Sequence, residues 1–248
     1  MAQTNIYSTS RGFVRHIGST EDELNDAFDN ARGTNTTTGN TVGSTGTSVG
    51  WGLNMSTTRG GDFQCDCYRC YFFFNFGAAI GSDDVTAVTF SFKNQTNANG
   101  NGIVVRANSD NDFGTIATSD FPLVFNSSTS MTAYSPDFTP SLGGLATTSV
   151  SLNSTAISNI NSGGSSKKIC VGIINYDFDF EYPDVEDNFG QKLNGISLTT
   201  SGANRAVMVV THQSAGFGKD VNGVTAANIV KINDVSTANI VKLNDVSA

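Results

Sequence analysis

Charge is scarce in this chain. Only 15% of its 248 residues are Asp, Glu, Lys or Arg, and the balance is acidic, at a formal −8. That leaves too few cations for a phosphate-binding surface, so nucleic acid is not an expected partner. No apolar run approaches the roughly 20 residues needed to cross a bilayer. The opening Met1-Ala2-Gln3-Thr4-Asn5 has neither the basic segment nor the apolar core of a secretory signal. The expectation is a chain made and assembled in a cytoplasm, without membrane insertion. Histidine is nearly absent too: His16 and His212 stand beside no recognisable nucleophile motif, and neither Gly-x-Ser-x-Gly nor His-Glu-x-x-His occurs. Catalysis and a cofactor are therefore not expected.

Gly, Ser, Thr and Asn are abundant, and the strong helix formers Lys, Glu and Gln are few, a mix that favours strands and turns. Residues 1 to 18 suit an edge strand around Phe13, Val14 and Ile17. Thr20 and Glu23 fit a capping box for one short helix from about Glu21 to Arg32, with Leu24, Ala27, Phe28 and Ala31 on one side. Gly33 to Gly50, almost all Gly, Thr, Ser and Asn, reads as a long surface loop. Tyr68 to Phe76 is a near-continuous aromatic run, expected of a central strand buried on both faces. Further strands are expected at 85–92, 102–106, 121–125, 149–152, 169–180, 196–199 and 206–211. Turn residues separate them, so the expected fold is all-β: an antiparallel β-sandwich or jelly roll, with one short N-terminal helix and a C-terminal repeat arm. The body covers 1–212, and 213–248 is linker and arm.

Four cysteines, Cys65, Cys67, Cys70 and Cys170, invite three readings: zinc, a disulfide, or plain thiols. Cys-x-Cys-x-x-Cys plus a distant fourth is poor zinc spacing, and on a strand Cys70 faces away from Cys65 and Cys67. Buried thiols fit best. Asp177, Asp179 and Glu181 would share one face of a strand and offer hard oxygen ligands for calcium, but outward carboxylates opposite inward aromatics also describe a half-buried strand. The same segment holds the only carboxylates suggestive of glycoside cleavage. Trp51, Tyr134 and Tyr182, among Asn- and Asp-rich loops, are candidate contacts for a sugar.

The end of the chain repeats. Ala227-Asn228-Ile229-Val230-Lys231-Ile232-Asn233-Asp234-Val235-Ser236 returns eleven residues later as Ala238-Asn239-Ile240-Val241-Lys242-Leu243-Asn244-Asp245-Val246-Ser247. At about 100° per residue the apolar positions form no helical stripe, and an odd spacing would flip each copy on a single long strand. Each unit reads as a short helical turn or extended arm followed by a corner at Asn-Asp. A disordered tail is the alternative. So short a unit cannot bury its own apolar side chains and needs another surface to pack on. Ile229, Val230, Ile232, Val235, Ile240, Val241, Leu243 and Val246 are thus the candidate assembly residues.

The run Arg69-Cys70-Tyr71-Phe72-Phe73-Phe74-Asn75-Phe76, the strands at 85–92 and 148–153, Val171-Gly172-Ile173 and Val209-Val210-Thr211 resemble the strand series of β-sandwich modules in phage and metagenomic virion proteins. The terminal repeat is similar to terminal repeats of that class, which usually carry Asn-Gly where this chain has Asn-Asp. The resemblance spans about residues 5 to 212 and implies a non-enzymatic virion structural protein, on the capsid surface or in the tail and its fibres. Its partners would be other virion proteins and copies of itself, as in a homo-oligomer such as a trimer. The alternative is a receptor-binding module for host surface polysaccharide.

Overall fold

The computed structural model describes residues 1–44, 47–95, 100–107, 116–141, 143–199 and 201–213, with the backbone alone at 47–49 and in short strands at 231–232, 235–236, 242–243 and 246–247. In chain order the described elements of the body are β1 (Ala2–Tyr7), β2 (Ser10–Ile17), α1 (Leu24–Arg32), β3 (Thr41–Gly43), β4 (Thr47–Thr57), β5 (Phe63–Asn75), α2 (Gly77–Ile80), β6 (Asp84–Asn94), β7 (Gly102–Arg106), β8 (Ala146–Ser151), α3 (Ser154–Ser162), β9 (Lys168–Asn175), β10 (Gln191–Ser197) and β11 (Val207–Gln213). Every strand pairing is antiparallel, and the fold is mainly β.

The thirteen-residue β5 organises the sheet. One edge pairs with β2, which carries β3 beyond it. On the other edge, β4 takes Phe63 to Tyr68 and β9 takes Cys70 to Asn75, leading outward to β10 and β7. The strands β1, β11, β6 and β8 pair side by side and, among the described residues, join the rest at the bridge from Ile196 to Asn94. The two groups meet face to face: Phe90 of β6 lies 5.4 Å from Phe72 and 5.7 Å from Phe74 of β5, both edge-on.

Alternation along β5 explains its unbroken apolar run. Cys70, Phe72 and Phe74 enter one core with β6, β11 and α3, whereas Cys65, Cys67, Tyr71 and Phe73 enter a second core. The second core is roofed by α1, whose Ala27, Phe28 and Ala31 are fully buried, and by a 3-10 helix at Thr118–Val124. Burying each large ring contributes roughly 1.5–3 kcal/mol.

Several expectations need correction. The described residues hold three α-helices, not one: α3 was hidden by its Ser, Thr and Asn content, and it starts because Asn153 Oδ1 accepts from the Ala156 N–H at 3.1 Å. The Thr20–Glu23 box does not form. Glu21 instead pairs with Phe63 through two backbone hydrogen bonds, which pulls the chain into the sheet and delays α1 to Leu24. The Gly33–Gly50 stretch holds β3 and the start of β4. Phe121 to Phe125 is mostly 3-10 helix, because Asp120 Oδ2 accepts from the Ala117 N–H and starts a turn.

Candidate functional site

The strand expected to reach Phe180 ends at Asn175. There Asn175 Oδ1 accepts from the Phe178 N–H at 2.9 Å, and Tyr176–Phe180 winds into one π-helical turn. The turn separates the three proposed calcium ligands. Asp177 Oδ2 accepts from the Asn101 N–H, Glu181 is exposed, and Asp179 is fully buried. Asp179 meets Arg69 of β5 in a two-pronged ion pair, Nε to Oδ2 at 2.8 Å and Nη2 to Oδ1 at 2.7 Å. Arg69 also donates to the carbonyls of Arg32 and Phe121, and its guanidinium stacks 4.1 Å from the Phe121 ring. Arg32 donates from Nε to the Asp179 carbonyl and lies 4.0 Å over Tyr182. Burial opposes the Arg69 cation, yet the Asp179 carboxylate, with smaller contributions from Cys67 and Tyr71, holds its pKa above the usual value. This cluster is a structural pin, with no carboxylate left free for a metal.

The thiols do not converge. Cys70 lies in one core, and Cys65, Cys67 and Cys170 lie in the other across the sheet. All four are free and buried, and burial raises each thiol's pKa, helped for Cys67 by neighbouring Asp179. Such thiols remain protonated and unreactive. No group of three or more His, Cys, Asp or Glu side chains suited to a metal ion occurs among the described residues.

Of the aromatic candidates, Trp51 is fully buried and packs edge-on against Phe138 at 6.1 Å, so no sugar reaches it. Tyr182 is 40% exposed, but its ring already carries Arg32. Its backbone sits in the left-handed region at φ 53°. Tyr134 is buried apart from its place in the wall of a cavity, where its hydroxyl accepts from Asn159 Nδ2 at 2.6 Å. That cavity, of about 430 Å3, is framed by Arg106, Lys168, Tyr134, Asn159, Ser162 and Ser166. Two others, of about 380 and 440 Å3, lie against α1 and are lined by acidic side chains such as Glu23 and Glu186, or Glu21 and Asp29.

One constellation has no signal in the sequence. His212 Nδ1 lies 2.8 Å from Asp83 Oδ2, and its Nε2 lies 2.9 Å from Thr4 Oγ1. This is the hydrogen-bond order of an activated hydroxyl nucleophile. The surroundings do not match: Thr4 sits in mid-strand, paired with Val210, and the three cavities above are lined by other residues. The chain of bonds instead ties β1 to β11 and to the turn before β6.

In the C-terminal repeat, Ile232 pairs with Val235 and Leu243 with Val246, so each unit holds a pair of short antiparallel strands. Lys231-Ile232 and Lys242-Leu243 are strand, whereas Asn233-Asp234 and Asn244-Asp245, where a corner is expected, lie outside the described residues. Ile229, Val230, Ile240 and Val241 lie outside the described residues, as does most of the 213–248 linker and arm. No helix among the described residues is long and apolar enough to cross a membrane. No protein-family model matches the sequence, and no curated protein matches it significantly.

Proposed function

We propose that this chain is a non-enzymatic structural protein of a bacteriophage virion, a capsid-decoration, tail or fibre component with a jelly-roll body and a C-terminal repeat that docks on other subunits. The observation that carries the reading is repetition: one antiparallel pairing, Ile232 to Val235, recurs as Leu243 to Val246. A lone two-stranded hairpin is marginal in water. Eight apolar side chains across two such units, each worth roughly 1.5–3 kcal/mol if buried, call for a partner surface. The body has little to offer in exchange, since its large exposed apolar side chains among the described residues are Met1, Tyr7, Leu145 and Tyr182.

Light scattering tests this. The full chain is expected to self-associate, and a chain lacking residues 221 to 248 to be a folded monomer. Ile240→Asp with Leu243→Asp should reproduce the truncation and exclude the subunit from the particle. A full chain that is already monomeric, or double-mutant subunits that assemble normally, would overturn the reading. A second reading, recognition of host surface polysaccharide, is favoured by the polar cavity beside Tyr134, which is within the size range of sugar and small-molecule sites.

A further inference from the structure

We infer that the cavity between the end of β7, the start of β9 and the C-terminal end of α3 binds an acidic saccharide unit, with Arg106 and Lys168 holding its anionic group. This deepens the polysaccharide reading and rests on it.

The argument begins with charge. The chain carries a formal −8, and the other two cavities are lined by carboxylates, yet this one presents two cations and, among the described residues, no acidic side chain. Neither Arg106 nor Lys168 forms a salt bridge among the described residues, and both are exposed. The plainest alternative is that they neutralise the negative end of α3. That end is already satisfied without them. The Ile160 carbonyl accepts from the Gly163 N–H, the Gly163 carbonyl from the Ser166 N–H, and the Asn159 carbonyl from Ser162 Oγ. The Gly164 carbonyl accepts from Lys167 Nζ at 2.6 Å, and Lys167 is itself buried. Lys167 thus serves the turn, which leaves Arg106 and Lys168 for something else.

The remaining lining chooses among anions. About 430 Å3 is far more room than a bare phosphate or sulfate fills. Asn159, Ser162 and Ser166 supply the mixed donors and acceptors that sugar hydroxyls need, and Ile169 supplies apolar wall for a ring face. Tyr134 also lines the cavity, and its hydroxyl is held by Asn159. The guanidinium of Arg106 offers two parallel donors suited to a carboxylate, and Lys168 a point charge.

Titration calorimetry on the full chain tests this with a trigalacturonate, 3′-sialyllactose and a sulfated heparin tetrasaccharide, against maltotriose, lactose and inorganic phosphate. The expected result is binding of at least one acidic probe. Its affinity should fall roughly tenfold or more in Arg106→Ala and in Lys168→Ala, and also when ionic strength rises from about 0.05 to about 0.5 M. Both side chains are exposed, so an unchanged melting temperature should accompany the loss. Acidic binding that survives both substitutions overturns the inference by placing the site elsewhere. Binding of neutral sugars alone overturns it and leaves the polysaccharide reading standing. Phosphate binding as tight as any acidic sugar makes the cavity a phosphate site and overturns it too. No binding by any glycan removes both readings.

Discussion

The two faces of β5 solve the same burial problem differently. On one face, Cys70, Phe72 and Phe74 meet Phe90, Phe92 and Ile173, an apolar contact in which shape alone decides the fit. On the other, Arg69 is as deeply buried as its aromatic neighbours, and Asp179, 110 residues away, comes in on a π-helical turn to meet it. The apolar face fixes which strands pack together. The ionic face fixes which loop closes over them, because a carboxylate in one place only satisfies the guanidinium.

The largest expected effect tests that contrast. Asp179→Leu leaves two buried arginines without their carboxylate and should cost about 3–5 kcal/mol in urea unfolding. Adding Arg69→Met should recover part of this, since Tyr71 still donates to the Phe121 carbonyl, while the Arg32 carbonyl loses its donor and the buried Arg32 cation keeps only its backbone-carbonyl acceptors. Phe90→Ala on the apolar face should cost a similar 3–5 kcal/mol through the cavity it leaves. A second deletion there should deepen the loss. If the Asp179 and Arg69 substitutions simply add, they do not act as a unit and the contrast fails.

The thiols give the next effect. Burial holds all four above the usual thiol pKa in the folded chain, while in the unfolded chain they ionise near 8.5. The folded state therefore binds more protons above that pH, and stability falls as pH rises. Each thiol contributes a decline of roughly 1.4 kcal/mol per pH unit until its own folded pKa is reached. Cys70→Ala and Cys67→Ala, one from each face, should each flatten the alkaline limb of a stability profile by one thiol's share. A profile that is level from pH 8 to 10 would mean that the thiols are accessible, as would labelling of the native chain by a thiol reagent.

How much of this was legible follows from distance along the chain. The aromatic run of β5, the 102–106 strand and the α1 stripe of Leu24, Ala27, Phe28 and Ala31 are local patterns, and the sequence shows them directly. Asp177, Asp179 and Glu181 alternate as a strand would, yet the side chain of Asn175 accepts a hydrogen bond from Phe178 and turns the chain. Asn before an aromatic run was the available signal. Phe121 to Phe125 is too short an apolar run to separate a buried strand from a 3-10 helix. The Arg69–Asp179 pair, the Asp83–His212–Thr4 bonds and the Arg106–Lys168 cavity join residues 62 or more positions apart along the sequence. No local spacing encodes them.

The smallest effect concerns the helices that cover the two cores. α3 lies over the apolar core through Ala156 and Ile160 and begins with a true side-chain cap, Asn153 Oδ1 to the Ala156 N–H. α1 lies over the ionic core, begins at Glu23 without any side-chain cap, and is held by three fully buried side chains and by Arg32. Asn153→Ala should therefore cost about 1 kcal/mol, and somewhat more because Asn153 Nδ2 also donates to the Ala133 carbonyl. Glu23→Ala should cost within about 0.5 kcal/mol of nothing. Replacing Asn153 with Asp restores the acceptor and loses the donor, so it separates the two contributions. If Glu23→Ala proves the more damaging of the two, the helix over the ionic core depends on its first turn and not on its packing, and the two covers are held in the reverse of the way described.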